Sequence, residues 1–254
     1  MDLREIPQDA RTGPSRRHPW EVARAAFFEA LVGPLVAARP CRVLDVGAGD
    51  AFVGAELAAS FGERVVVTCV DPGYATLGRP ACAGVRLLDR IPEERFDLLL
   101  LLDVLEHVED DLGLLSDLVR SNLGDGAHVL VSVPAWPGLY ARHDRALGHH
   151  RRYRPRELHA LLSRAGLERL EGGGLFHSLV LPRAATVLAE RLRGDAAEVG
   201  APPPLEWRKG PVVTGAVSTA LGLDNRVSRL ASRLGLGLPG LSEWALARVP
   251  TRAR

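Results

Sequence analysis

The chain has little with which to build a disulfide or metal-thiolate framework. Its three cysteines, Cys41, Cys69 and Cys82, are odd in number and lack metal-ligand spacing. A reduced, intracellular protein is the expectation. No apolar run reaches the ~18 residues that a membrane span needs, and Met1-Asp2-Leu3-Arg4-Glu5 opens no apolar stretch of signal-peptide length. These absences predict a cytoplasmic protein with no integral membrane segment. An excess of either charge is missing too: 32 basic residues face 31 acidic ones, a net charge of +1. That balance argues against a strongly electrostatic surface for nucleic acid or membrane. Lys209 is the only lysine among the cations, a bias toward arginine that genomic base composition explains more simply than function does. There is no internal repeat, and no low-complexity tract beyond Gly200-Ala201-Pro202-Pro203-Pro204.

What is present is an alternation of apolar strands and amphipathic helices. At 254 residues the chain can bury a substantial core, as one large domain or one domain with an insertion. After an irregular arm over residues 1–18, a helix is predicted from Trp20 to Ala38. A strand over Cys41–Val46 runs into a helix carrying Val53, Leu57 and Phe61 and closed by Gly62. Further strands are predicted at Val65–Val70, Val85–Leu88, Asp97–Leu102, His128–Val133 and Leu167–Leu170. Helices are predicted over Asp110–Leu123 and from Pro155 to Gly166, and Gly124-Asp125-Gly126 is read as the turn into the fifth strand. The pattern predicts an α/β fold: a Rossmann-like doubly wound sheet, mostly parallel, with Trp244–Val249 returning as an antiparallel last strand. The expected division is a core over residues 1–175, a mainly helical C-terminal cap insertion over 176–240, and the return strand over 241–254. The cap carries Leu181, Val187, Leu188, Leu192, Leu221, Leu223, Val227, Leu230 and Leu234. Most of these are expected in the core; an apolar acceptor pocket or a homodimer face is the alternative.

The most informative stretch is Val43-Leu44-Asp45-Val46-Gly47-Ala48-Gly49-Asp50, an apolar strand entering a glycine turn. Glycines there let a ligand approach the backbone at the carboxyl end of a strand. A dinucleotide site wants a third glycine three residues on, and this chain has Phe52 instead. Asp45 and Asp50 bracket the turn and suit a cationic ligand better than a pyrophosphate. S-adenosylmethionine, with a sulfonium and an ammonium and no phosphate, fits that description; an ordinary strand-to-helix turn is the bland alternative. Asp71 follows Gly49 by 22 residues at the end of the second strand, where an acid can accept both ribose hydroxyls. It could also simply begin the Asp71-Pro72-Gly73 turn.

Directly after the fourth strand comes Asp103-Val104-Leu105-Glu106-His107-Val108. Together with the glycine turn, Asp71, Phe96-Asp97, Ser132-Val133-Pro134, Arg152-Tyr153 and Glu157-Leu158, it resembles class I S-adenosylmethionine-dependent methyltransferases, in particular the branch with the ubiquinone-pathway O-methyltransferases. The resemblance covers residues 18 to about 170. It implies that Asp45, Gly47, Ala48 and Gly49 hold the methionine end of S-adenosylmethionine, that Asp71 and Pro72 hold the ribose, and that Asp103 and Val104 lie on the sulfonium side. His18-Pro19-Trp20 with Arg24 resembles a helix that closes over the cofactor, although a tryptophan on an amphipathic helix is also ordinary core. Many relatives read adenine with an acid well before the fourth strand. Asp89 lies only seven residues before Phe96, and the adenine contact is left unassigned.

Methyl transfer is an in-line displacement, so positioning supplies much of the rate. For a hydroxyl acceptor a base matters, and His107 is the best-placed candidate, against a structural role at the helix start. His143, His149 and His150 share the loop after the fifth strand with Tyr140 and Tyr153, and His149 and Tyr153 join His107 as catalytic candidates. Asp103, Glu106 and His107 with a loop histidine could ligate Mg²⁺, as a Glu-x-x-Glu-His set does in certain relatives, but the expectation is no metal. The expected function is methylation of a small-molecule acceptor, partly apolar, most readily on an oxygen of a quinol, a secondary metabolite or a glycolipid sugar. A non-catalytic S-adenosylmethionine-binding protein and, behind it, an NAD-dependent oxidoreductase are the rivals; no nucleic-acid partner is expected.

Overall fold

The computed structural model describes residues 17–76, 78, 84–193, 207 and 209–251. The arm up to residue 16, Cys82 and the Gly200–Pro204 break lie outside the described residues.

Helix α1 (Pro19–Ala38) precedes strand β1 (Cys41–Val46), helix α2 (Phe52–Phe61), strands β2 (Val65–Val70), β3 (Val85–Leu88) and β4 (Phe96–Leu102), helix α3 (Asp111–Asn122) and strand β5 (Leu123–Pro134). Two helices, α4 (Arg142–Ala146) and α5 (Pro155–Arg164), lead to strand β6 (Glu168–Leu175); helices α6 (Val180–Arg193) and α7 (Pro211–Arg233) then lead to strand β7 (Ser242–Arg248). The sheet order is β3-β2-β1-β4-β5-β7-β6. β1 pairs in parallel with both β2 and β4, while β7 runs antiparallel between β5 and β6. The chain winds outward from β1 and then returns to β4 beside it. That reversal opens the crevice where doubly wound sheets bind ligands.

β4 shows why the sheet forms. Leu98, Leu100 and Leu102 face the layer that holds Phe28, Leu31 and Leu57 from α1 and α2. Leu99 and Leu101 face the opposite layer, with Leu115 of α3 and Leu158 and Leu162 of α5. Both faces are covered, so the strand reads as an unbroken apolar run, and each fully buried leucine contributes roughly 1.5–3 kcal/mol.

Two strands extend well beyond the expectation. β5 begins at Leu123, so Gly124-Asp125-Gly126 is the irregular start of a strand; its pairing with β4 slips between Phe96 and Leu98. β6 runs past Leu170 through Gly172-Gly173-Gly174 to Leu175. Three glycines carry no side-chain period to read, yet two of them are needed: a Cβ on Gly174 would stand 2.2 Å from the backbone of Gly240, and one on Gly172 2.9 Å from the Trp244 carbonyl. The last strand in sequence is an inner strand of the sheet, and it brings Trp244 into the core with no exposure.

The expected burial of the 176–240 leucines also needs correction. Val187 and Leu221 are buried, whereas Leu181, Leu188, Leu192, Leu223, Val227, Leu230 and Leu234 are exposed. α7 packs on α1 and β6 through Thr214, Leu221, Asn225, Ser228 and Ala231. Side-chain hydrogen bonds hold that mostly polar face inward. Asn225 accepts from the Phe176 amide at 3.2 Å, Ser232 bonds both the amide and the carbonyl of Gly172 at 3.2 and 2.8 Å, and Ser228 donates to the Gly174 carbonyl. Residues 172, 174 and 176 alternate, as the outward backbone groups of an edge strand must. α7 thus closes an edge that would otherwise be left open.

Candidate active site

The glycine turn is built at the carboxyl end of β1. Gly47 and Gly49 have φ of +71° and +57°, and a Cβ on Gly47 would meet Val104 Cγ2 at 2.6 Å. Only glycine lets this turn pack against the segment after β4. Gly47 and Ala48 donate to the Val70 carbonyl at 2.8 and 3.1 Å, tying the turn to β2. Asp71 reaches back across the crevice: one carboxylate oxygen accepts from the Gly49 amide at 3.0 Å and the other from the Gly73 amide at 2.7 Å, at the start of the 3₁₀ turn Pro72–Ala75. Beneath the turn Asp45 is buried, and burial pushes its carboxyl up to about 7, with Asp71 and Asp50 adding to the rise.

Among the described residues four non-glycine residues have positive φ: Ala51, Asp103, Trp136 and Phe176. They follow β1, β4, β5 and β6, all at one edge of the sheet. Such conformations cost roughly 1–3 kcal/mol each and gather where a site must hold a set geometry.

Asp103 ends β4. It pairs with Arg24 of α1, and its Oδ1 accepts from Ser132 Oγ at 2.9 Å. Burial alone would raise its carboxyl, but the Arg24 charge and the Ser132 hydrogen bond outweigh that and hold it below the usual range. The Arg24 guanidinium also stacks 4.6 Å from the Trp20 ring centroid. Arg17 pairs with Asp50 at 2.6 Å and covers the Phe52 ring at 3.8 Å. With these side chains in place, the crevice between Glu21, Arg24, Asp45 and Gly47 keeps a cavity of only about 20 Å³.

The next residues meet the loop after β5. The His107 and His149 rings stand edge to face with centroids 4.5 Å apart, and the His150 amide donates to the Glu106 carbonyl at 2.7 Å. Glu106 has no exposure, and neither carboxyl oxygen has a hydrogen-bond partner among the described residues. Burial, reinforced by the Asp103 charge, raises its carboxyl well above the ordinary range. His149 is positioned by Asp144, whose Oδ1 lies 3.2 Å from Nδ1. Asp144 is fully buried and also accepts from Arg152 at 2.8 Å, Arg183 at 2.7 Å and the Ala141 amide at 2.9 Å. Burial opposes its ionisation, but the His149 hydrogen bond and the Arg152 charge prevail and hold its carboxyl far below the usual range. An ionised Asp144 can only accept, which places the His149 proton on Nδ1 and leaves Nε2 as the outward nitrogen. One ligand-type atom each from Glu106, His107 and His149 lie within 4.8 Å of one another.

Tyr153 stands apart from the two histidines. It is buried, and its hydroxyl donates to Asp111 at 2.8 Å; burial and then Asp111 raise its pKa. It lines an open cavity of about 810 Å³ together with Tyr140, His150, Arg151 and Leu161. The structure therefore gathers Asp45, Gly47, Ala48, Gly49, Asp71, Asp103 and Val104 around one crevice, with His107 and His149 paired beyond β4. Sequence reasoning missed the Asp144–Arg152–Arg183 cluster beneath His149. Arg183 is 39 residues from Asp144, and no local spacing could have joined them.

A methyltransferase-domain family model matches residues 16–171, more than half of the chain, and the protein belongs to that family. None of the curated proteins compared with it is a significant match. Among solved structures, a protein assigned as a sarcosine dimethylglycine methyltransferase from Galdieria sulphuraria is 16% identical, with a TM-score of 0.52, over 91% of this chain and 87% of that one. A complex of the Haloferax volcanii Trm112 methyltransferase activator with a methyltransferase gives 13% identity and a TM-score of 0.50 over 92% and 96%. A 1,6-didemethyltoxoflavin-N1-methyltransferase from Burkholderia thailandensis, solved with its substrate and S-adenosylhomocysteine, is 26% identical over 59% of this chain and 69% of that one, with a TM-score of 0.44. The first two likenesses show a shared fold.

Proposed function

We propose that the protein moves the methyl group of S-adenosylmethionine to an oxygen of a small, partly apolar molecule, with a quinol, a secondary metabolite or a glycolipid sugar as the acceptor classes to try first. The observation that carries this reading is the acidic glycine turn, braced by Asp71, opening toward the paired His107 and His149. S-adenosylmethionine supplies an electrophilic methyl on sulfonium, and membership of the methyltransferase-domain family supports its use here.

The donor set suits that cofactor. Asp45 and the turn Gly47-Ala48-Gly49 face its methionine end, Asp71 and Pro72 the ribose, and Asp103 and Val104 the sulfonium side. A crevice of about 20 Å³ does not admit the cofactor, so Arg24 and Trp20 of α1 swing aside on binding and close afterwards, excluding water. With the acceptor bound and the cofactor's methyl held in line with its hydroxyl oxygen, His107 would take the hydroxyl proton. His149, locked by Asp144, orients the His107 ring, and Tyr153 walls the acceptor cleft. Release of S-adenosylhomocysteine against a panel of phenols, quinols and sugars tests the reading; cofactor binding with no turnover on any acceptor favours a non-catalytic binding protein. Tight NAD binding with none to S-adenosylmethionine would revive the oxidoreductase, against which Phe52 speaks.

The orphaned Glu106 carboxyl favours a second reading for the same site, in which a divalent cation supplies Lewis acidity to the acceptor oxygen. Asp103, engaged by Arg24 and Ser132, is a poor ligand; Glu106, His107 and His149 Nε2 are the fitting set, with Asp144 behind His149 in the supporting place a metal-bound histidine needs. Turnover abolished by a chelator and restored by a divalent ion selects this reading; turnover indifferent to chelation selects His107 as an unaided base. A cytoplasmic location completes the proposal.

A further inference from the structure

Beyond the buried Leu221, α7 turns mostly polar side chains inward and its leucines outward. Asn225, Ser228 and Ser232 recur at helical spacing and face β6 and α1, while Leu223, Val227, Leu230 and Leu234 recur at the same spacing two residues out of step. Two residues are about 200° of helix rotation, so the apolar stripe lies diametrically opposite, in solvent. These side chains are 54–66% exposed, and Leu236 and Leu238 continue the patch at 58% and 37%. The helix cannot roll to bury them, because Asn225, Ser228 and Ser232 are hydrogen-bonded to the edge of β6. Apolar surface of this extent on a soluble chain is met by something other than water.

Charge names the occupant. Arg226, Arg229 and Arg233 form one flank of the stripe, with Arg226 and Arg233 exposed. The only acid on the helix, Asp224, is engaged by the amide and hydroxyl of Ser178 at 3.0 and 2.8 Å. Arg229 donates to the Ala30 carbonyl at 2.7 Å, while Arg226 and Arg233 have no acidic partner among the described residues, and a second copy brings the same pair and no counter-charge. A lipid surface with anionic headgroups supplies both partners: acyl chains for the leucines and phosphates for the guanidiniums. No helix among the described residues is long and apolar enough to cross a membrane, so the contact is parallel to the surface.

We propose that the outward face of α7 docks this protein on an anionic lipid surface. The net charge of +1 hides this because a small basic flank is averaged over 32 basic and 31 acidic residues. Docking is independent of methyl transfer, and so is its test. The full-length chain is sedimented with vesicles of phosphatidylcholine alone and of phosphatidylcholine with one-third phosphatidylglycerol. We expect it to pellet with the anionic vesicles only and to be released by high salt. Leu223→Ser, Val227→Ser and Leu230→Ser together should abolish pelleting while leaving the thermal melt unchanged. Arg226→Gln with Arg233→Gln, which touches no apolar side chain, should weaken partitioning about fivefold for each arginine removed. Equal binding to both vesicle types, no binding to either, or unaltered binding by the serine variant would each overturn the proposal. So would a solution dimer that the serine variant converts to monomer with no vesicle binding by either form, which would give this face to a second copy.

Discussion

The two ends of the sheet bury side chains by different rules. At the β1–β4 end the apolar residues of the sequence are the buried residues of the fold: Val43, Leu98 and Leu100 have no exposure, and Leu57 of α2 packs on them. At the β6–α7 end, serine and asparagine face inward and leucine outward, around a strand of consecutive glycines. The first end is held by hydrophobic transfer. In the second, the open backbone of an edge strand recruits side-chain hydrogen bonds, and an unpaired buried amide costs more than an exposed leucine does.

Perturbations separate the two regimes. The largest effect is expected at the cofactor turn: Gly47→Val forces a branched residue into positive φ and against Val104, and titration calorimetry should find S-adenosylmethionine affinity lowered at least 100-fold, a loss of roughly 3 kcal/mol. Leu100→Ala, in the apolar regime, should lower unfolding free energy by about 2–5 kcal/mol in denaturant titration. Asn225→Leu inverts the logic. If hydrophobicity governed α7 it would stabilise, whereas loss of the acceptor for the Phe176 amide predicts a loss of about 1–3 kcal/mol. Leu230→Ala should change stability by less than about 0.5 kcal/mol.

A pH experiment sharpens the comparison at the cofactor end. The Asp45 carboxyl, pushed up to about 7 by burial, binds its proton more tightly in the folded chain than in the unfolded one. Its contribution to stability is therefore complete below the unfolded pKa near 3.8 and is lost as pH rises through 7. Asp45→Asn should raise the melting temperature of the unliganded protein at pH 8 and not at pH 4. In the wild type, affinity for the ammonium of S-adenosylmethionine should increase as pH passes upward through 7, when the carboxylate forms.

The legibility of the site follows the same division. The gathering of Asp45, Gly47, Gly49, Asp71 and Asp103 could be read because each lies at or just beyond the end of an apolar strand, and strand ends in a doubly wound sheet converge on one edge by topology alone. The pairing of His107 with His149 across 42 residues could be guessed only as a shared neighbourhood. Its geometry depends on Asp144, which is ionised in the interior because Arg152 and Arg183 arrive there from two other elements. In the sequence Glu106 is one possible Mg²⁺ ligand beside Asp103 and His107; its complete burial and orphaned oxygens arise only when the β5–α5 loop folds over it.

By itself, the sequence determined the alternation of strands and helices, the doubly wound sheet and the glycine turn, because apolar periodicity and backbone permissiveness act over a few residues. Tertiary structure alone decided that the last strand lies inside the sheet, that α7 turns its polar face inward, and that Arg24 of the first helix reaches Asp103 at the end of β4. Each of these depends on a hydrogen bond or charge supplied by a distant segment, and such partners carry no local signal.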